Sequence, residues 1–172
     1  MAKKPTVKPV PEGYHTLTPH LIVKDGAKAM EFYKKAFGAV EKFRMCPPGK
    51  DTICHAELTI GDSHLMLCEE CLEWGAKSPQ TLGGTATSVH VYVNDVDAFF
   101  KKAVKAGATP EREPAEMFWG DKHGSLVDPF GHRWGVAQHT RDLTQEQIEE
   151  GYKTFLTQME KAPKQPVTAS KK

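Results

Sequence analysis

The chain has 172 residues, enough to bury a substantial core as one domain or as two small fused modules. Its net charge of +1 offers no electrostatic surface for nucleic acid or for an anionic membrane. No apolar run approaches the roughly 18 residues of a membrane span. Composition therefore predicts a protein with neither a nucleic-acid nor a membrane partner.

The N-terminus and the cysteines predict a cytoplasmic location. The basic start Met1–Lys4 is followed by no apolar stretch, so a secretory signal is not expected. Free thiols in a reducing compartment are then expected for all four cysteines. Cys68 and Cys71 have the CxxC spacing, but no second pair accompanies them, so neither zinc nor thioredoxin chemistry is predicted. The four are Cys46, Cys54, Cys68 and Cys71.

The first half of the chain predicts one strand, one helix and three further strands. A flexible arm, rich in Pro and Lys, is expected at residues 1–13, followed by a strand at about 16–24. Asp25 is the expected N-cap of a helix that Gly38 ends, with an apolar stripe between them. The further strands are expected at 39–45, 53–60 and 64–69.

The second half repeats this order 70 residues later. Asp95 and Gly107 occupy the positions of Asp25 and Gly38, and His90 occupies that of His20. Residues 72–87 are rich in turn formers and are the predicted linker. The strands of this half are expected at 88–93, 109–117, 124–128 and 132–139. The fold class predicted is α+β, with tandem βαβββ modules at 14–71 and 88–140.

One element lies outside the repeat. A helix is predicted from about 144 to 160, within a C-terminal region spanning 141–161, because Thr144 and Gln147 fit a capping box. An apolar stripe follows, and the sequence leaves open whether it packs on the domain or on a partner subunit. The last residues, 162–172, are expected to be disordered.

Strand alternation predicts one polar face on the sheets. Two interpretations of this face remain open: a solvated surface of a half-buried sheet, or the wall of a polar ligand pocket. Its predicted members are His20, His55, Glu57, His64, His90 and Tyr92.

Two motifs carry a resemblance to a known family. They are the helix residues Phe32–Ala39 and the stretch from Trp119 through Gly124 to the Asp128–Trp134 motif. With the repeat, they resemble the vicinal oxygen chelate superfamily of glyoxalase I, bleomycin-resistance proteins and extradiol dioxygenases, and its PhnB-like branch in particular. Over about 16–140, the resemblance implies an incomplete barrel around a cavity shared by the two modules, in a homodimer. The turn that begins at Asp128 is predicted to be structural.

The resemblance also implies where a metal would be held. Metal-dependent members place ligands on the first and last strands of each module. Those positions hold Thr18, Ser88, Leu65 or Met66, and Gly135 here, none of them a good ligand. No metal or other cofactor is therefore expected. A shifted site for zinc, nickel, manganese or iron remains an alternative, with His20, Glu57 and His90 as its ligands. Two further interpretations of His20 and His90 stay open: polar residues that line a cavity, or histidines packed in the core.

The predicted function is binding of a small molecule in the cavity between the modules, without the usual metal site. The net charge of +1 disfavours a cationic glycopeptide as that ligand. The alternative is a metal-dependent lyase, isomerase or dioxygenase, whose catalytic candidates are His20, Glu57 and His90. The predicted pocket residues are His20, His55, Met66, His90, Tyr92, Trp119 and Asp121.

Overall fold

The repeated pattern folds as two four-stranded sheets in the computed structural model, which describes residues 7–161. In the first module β1 runs parallel to β4, and the remaining pairs are antiparallel, giving the order β1-β4-β3-β2. Its elements are β1 (His20–Val23), α1 (Gly26–Phe37), β2 (Val40–Met45), β3 (His55–Ile60) and β4 (Ser63–Glu69).

The second module repeats this topology in the order β5-β8-β7-β6, with β5 parallel to β8. A short helix α2 (Pro79–Leu82) lies in the linker. The remaining elements are β5 (Ser88–Tyr92), α3 (Val96–Ala106), β6 (Thr109–Glu116), β7 (Asp121–Val127), β8 (Arg133–His139) and α4 (Gln145–Lys161). The predicted α+β class, the two βαβββ modules and the C-terminal helix are confirmed. The two sheets are open, and within 7–161 no strand of one pairs with a strand of the other.

The predicted helix caps are present in both modules. The Asp25 side chain accepts a hydrogen bond from the Lys28 amide at 3.0 Å, and Gly38 ends α1 with φ of 69°. In α3 the Asp95 side chain accepts from the Ala98 amide, and Gly107 ends the helix with φ of 119°. These local signals placed both helices correctly because a cap depends on residues within one turn of the helix end.

A second cap in each module comes from the last strand. Glu69 Oε1 accepts hydrogen bonds from the amides of Gly26 (2.9 Å) and Ile53 (3.2 Å). At the matching position of the second module, Gln138 Oε1 accepts from the Val96 amide at 3.2 Å. In both modules the end of the last strand thereby satisfies the first amide of the helix, which the helix itself leaves unpaired.

The modules meet through their helices and the core beneath them. Helix α1 packs on α3, and the Phe37 ring stacks on Phe99 with centroids 5.3 Å apart. Phe37 also lies 4.6 Å from the ring of Trp134, which is 1% exposed. Apolar burial on both sides of this contact joins the two repeats into one core.

A buried carboxylate reinforces the joint between the modules. Asp128 Oδ2 accepts hydrogen bonds from the Tyr33 hydroxyl (2.8 Å) and from Trp134 Nε1 (2.9 Å). Its Oδ1 accepts from the amides of Phe130 and His132, both at 2.9 Å. Asp128 thereby caps the turn that begins with it, in agreement with the structural role predicted for this turn. The hydrogen bond from Tyr33 on α1, which connects this turn to the first module, was not predicted from the sequence.

Several strand boundaries differ from the predictions. Strand β1 begins at His20 rather than at 16, because Pro19 lacks an N–H for the ladder and contributes only its carbonyl, which accepts from the Met66 amide. Strand β7 begins at Asp121 rather than at 124, because a tight turn ending at Gly120 closes on Met117. The earlier start brings Asp121 and His123 onto the sheet.

Helix α4 has the predicted cap but little contact with the domain. The Thr144 and Gln147 side chains exchange hydrogen bonds with each other's amides, at 2.8 and 3.3 Å, which confirms the capping box. Tyr152 and Phe155 pack on Phe118, and no α4 residue is buried.

Within the described part of the chain, no helix is long and apolar enough to cross a membrane. The predictions for the first six residues of the arm and for the tail 162–172 lie outside the described residues.

Candidate functional site

The polar face predicted from alternation is present on both sheets, on the side away from the helices. In β3 and β4 the alternate residues are buried, with exposures of 0–3%, while their neighbours on the other face are half-buried. The buried set is Ala56, Leu58, Leu65 and Leu67, and the half-buried set includes His55, Glu57, His64 and Met66. Two groups of polar side chains, one in each module, follow from this arrangement.

The module-1 polar cluster consists of Tyr14, His20, His55, Glu57 and His64. Glu57 accepts hydrogen bonds from the Tyr14 hydroxyl and, at 3.3 Å, from His55 Nε2. The Tyr14 ring stacks on His64 with centroids 3.8 Å apart, and His20 meets His55 edge to face at 5.8 Å. Tyr14 therefore lies over the polar face as a lid, a contact that no sequence pattern indicated.

These contacts shift three pKa values in the module-1 cluster. The hydrogen bond from Tyr14 lowers the pKa of Glu57, and the same bond raises the pKa of Tyr14 to about 12. Burial lowers the pKa of His20, and the neighbouring His55 adds to this effect. Glu57 is therefore an ionised acceptor bonded to Tyr14 and His55, and it is not bonded to His20 or His90, the other two catalytic candidates.

The module-2 polar cluster is built around Asp121, which is only 5% exposed. Its carboxylate accepts hydrogen bonds from the Tyr92 hydroxyl (3.0 Å), Trp119 Nε1 (3.1 Å) and His139 Nδ1 (2.8 Å). Burial raises the pKa of Asp121, but these three bonds outweigh burial and leave the pKa lowered. The full cluster is His90, Tyr92, Trp119, Asp121, His123 and His139.

His139 is bonded at both ring nitrogens. While Nδ1 meets Asp121, Nε2 lies 3.1 Å from Oδ1 of Asp142. The bonds to Asp121 and then Asp142 raise the pKa of His139. Sequence reasoning missed this residue, because Asp121 and His139 become neighbours only through the pairing of β7 with β8.

The register shows that a histidine pair is duplicated with the modules. His20 and Glu57 both lie opposite Met66, as His90 and Ser125 both lie opposite Gly135. Glu57 on β3 and Ser125 on β7 therefore occupy equivalent positions. His55 and His123, which lie two residues before them, are equivalent as well. The His90 and His123 rings stack at 5.4 Å, and His123 Nδ1 is buried without a hydrogen-bond partner in the described structure. Burial, with His90 second, lowers the pKa of His123.

The residues at the family's usual metal positions do not fit a metal ion. A Cβ at Gly135 would lie 2.7 Å from His90 Nδ1 and 3.0 Å from His123 Nε2, so two imidazoles already fill the space of the missing side chain. Leu65 is 3% exposed and packs in the core. Thr18 and Ser88 offer only hydroxyls.

The shifted metal site is not brought together within one chain. His90 has Tyr92 and His123 as its ring neighbours, while Glu57 has Tyr14 and His55. Among residues 7–161, no group of three or more His, Cys, Asp or Glu side chains is placed to hold a metal ion.

A cavity of about 580 Å³ lies between the modules. Two of the predicted pocket residues, His90 and Tyr92, line it. Thr18 and His64 of the first module also line this cavity. Three aromatic side chains from the contact between the modules complete its wall: Phe37, Phe99 and Trp134. This volume falls within the range of about 300–1,000 Å³ typical of small-molecule sites.

The other predicted pocket residues lie elsewhere. His20 lines a second cavity of about 280 Å³ beside the linker residues 84–87 and His132. Within a single chain, His20 and His90 therefore line different cavities, because the linker runs beside His20. His55, Met66, Trp119 and Asp121 lie on the polar faces and line neither cavity.

Comparison with known proteins agrees with this architecture. The model of the Glyoxalase/Bleomycin resistance protein/Dioxygenase superfamily matches residues 14–136. The chain belongs to this superfamily. It is 43% identical to the uncharacterized protein Mb0911c of Mycobacterium bovis over 137 residues, covering 77% of this chain and 89% of the relative.

Two solved structures have a similar fold. TioX from Micromonospora sp. ML1 is 27% identical, with a TM-score of 0.59 over 73% of this chain and 98% of TioX. The fosfomycin resistance protein FosX from Listeria monocytogenes, solved with Mn(II) and sulfate, is 18% identical. Its TM-score is 0.57 over 80% of this chain and 97% of FosX, a likeness of fold alone.

Proposed function

We propose that this superfamily member binds a small organic molecule in the cavity between its two modules, and that it does so without the usual metal site. The observation that carries the proposal is the cavity of about 580 Å³, because residues of both repeats converge on it. Phe37, Phe99 and Trp134 offer aromatic surface for stacking, and His64 and His90 offer polar anchors. No Lys or Arg is among its lining residues within 7–161, so the preferred ligand is not a multiply charged anion.

Filling the cavity should abolish binding of an aromatic probe. We expect Thr18→Trp to weaken binding of 1-anilinonaphthalene-8-sulfonate at least tenfold, because an indole at this half-buried wall position occupies the ligand space. Fluorescence titration measures the affinity and the number of probes per chain.

Thr52→Trp is the matched control, since Thr52 is an exposed threonine in a loop away from the cavity. It should bind the probe as the parent protein does. Equal probe affinity for the two tryptophan variants and the parent would contradict the cavity as the binding site.

The proposal that no usual metal is used rests on Gly135 and the two imidazoles above it. Protein purified without chelator should contain no stoichiometric metal, and zinc, nickel, manganese or iron(II) should not raise its Tm. A ligand that binds only the native state must raise apparent stability. A stoichiometric metal that is lost in His90→Ala but kept in His15→Ala would instead favour the metal-dependent lyase, isomerase or dioxygenase.

A homodimer and a cytoplasmic location complete the proposal. Strand β2 is at the edge of its sheet and exposes a row of large apolar side chains, which supports a protein partner. These are Val40, Phe43 and Met45, each at least 50% exposed. The cytoplasmic location stays a prediction that rests on the cysteines. Assignment to the PhnB-like branch also stays a prediction, and it rests on the Asp128–Trp134 motif.

A further inference from the structure

The hydrogen bonds of His139 require its ring to carry both protons. Nδ1 faces a carboxylate oxygen of Asp121 at 2.8 Å, and Nε2 faces one of Asp142 at 3.1 Å. An ionised carboxylate only accepts, so each ring nitrogen must donate. The side chain is thus an imidazolium held between two acids.

The two acids differ in how firmly they are held. Asp121 is 5% exposed and receives two further donors, Tyr92 and Trp119, so it is a permanent partner. The Asp142 side chain is fully exposed, and its bond to His139 is its one hydrogen bond within the described structure. A bond of this kind contributes little to stability and is readily exchanged.

We propose that His139 Nε2 is the anchor of a second binding site, which takes the carboxylate of a small aromatic acid in place of Asp142. Asp142 shows that an anionic oxygen is accommodated at this nitrogen beside Asp121. Trp119, which donates to the same Asp121, supplies half-buried aromatic surface on the neighbouring loop. Phe118 supports its ring edge to face at 4.9 Å and packs in turn on helix α4. Neither His139 nor Asp121 lines the cavity between the modules, so this site does not rest on the proposed function.

Asp121 accepts hydrogen bonds from three separate elements of the second module. Tyr92 on β5, Trp119 in the loop before β7 and His139 on β8 all converge on one carboxylate. These bonds hold the Asp121 carboxylate in place, and with Nδ1 bonded to it, His139 Nε2 faces the exposed side chain of Asp142. A positioned charged donor is the kind of group that recognises a carboxylate specifically.

Sodium benzoate is a suitable probe, with benzamide as its uncharged counterpart. In long-range proton–nitrogen spectra of the full chain, benzoate should shift the His139 ring nitrogens, which are assigned by their loss in His139→Gln. Asp142→Asn should tighten benzoate binding about two- to fivefold, the range of a surface ion pair, because it removes the competing carboxylate. His139→Gln should abolish the tightening.

Asp51→Asn is the matched control, because it removes one exposed acid from a distant loop and leaves His139 untouched. The site is supported if Asp142→Asn tightens benzoate binding while Asp51→Asn does not, and if Asp142→Asn leaves the affinity for benzamide unchanged. It is overturned if Asp51→Asn tightens binding equally, if benzamide binds as well as benzoate, or if His139 does not respond. Benzoate that shifts His90 without His139 would support the cavity and overturn this second site.

Discussion

Asp128→Ala is expected to lower the free energy of unfolding by about 4 kcal/mol, because three buried donors and one half-buried donor lose a shared acceptor. Asp128 is 4% exposed and accepts from Tyr33, Trp134 and two amides of its own turn. Since Tyr33 lies on α1 and Trp134 on β8, the loss also loosens the contact between modules. Urea denaturation followed by circular dichroism gives the change.

Two variants resolve this effect. Tyr33→Phe removes a single donor and should cost about 1 kcal/mol. Asp62→Ala is the matched control, because Asp62 is an exposed acid at the corresponding turn of the first module, and its loss should cost less than about 0.5 kcal/mol. A similar midpoint for Asp128→Ala and Asp62→Ala would contradict a stabilising role for the buried carboxylate.

Gly120→Ala is expected to lower the free energy of unfolding by about 3 kcal/mol, from backbone strain and a steric clash together. Gly120 has φ of 99°, which L-residues rarely adopt. A Cβ there would lie 2.3 Å from the carbonyl oxygen of Arg141, a backbone atom that cannot move aside alone. The carbonyl of Gly120 accepts from the amides of Thr140 and Arg141, so the clash acts on a paired segment.

Gly38→Ala separates strain from clash. Gly38 has φ of 69°, but a Cβ there would meet nothing within 4 Å, so only the conformational cost of about 1 kcal/mol is expected. Gly120→Ala should also shift the His139 ring nitrogens, because Trp119 and Asp121 flank it, whereas Gly38→Ala should not. Equal destabilisation by both variants would show that the contact with Arg141 carries no energy.

The resemblance led correctly to the superfamily, whereas the absence of a metal and the identity of the site residues stay predictions. Gly135 was recognisable as a non-ligand from its place in the repeat. That His90 and His123 fill its space could not be predicted, because the predicted strand started at 124 and left His123 outside the sheet, whereas β7 begins at Asp121. Of the predicted pocket residues, His90 and Tyr92 line the cavity between the modules.

The missed residues share one cause. Tyr14 reaches Glu57 across 43 positions of sequence, and His139 reaches Asp121 across 18. Neither contact follows from helical or strand periodicity, which reports only neighbours within one element. His139 could have been placed on the polar face by extending the alternation of β8, but its partner could not have been named.

The sequence by itself determined the two βαβββ modules, the helix ends at Asp25, Gly38, Asp95 and Gly107, and the polar face of each sheet. These features depend on backbone geometry and on side chains a few positions apart, so the local sequence is sufficient to predict them. Only the tertiary structure decided that His20 and His90 line different cavities, that Asp128 joins the modules, and that Asp121 orients His139. Those neighbours are set by strand register and helix packing, which arise from the summed burial of many residues and not from any local pattern.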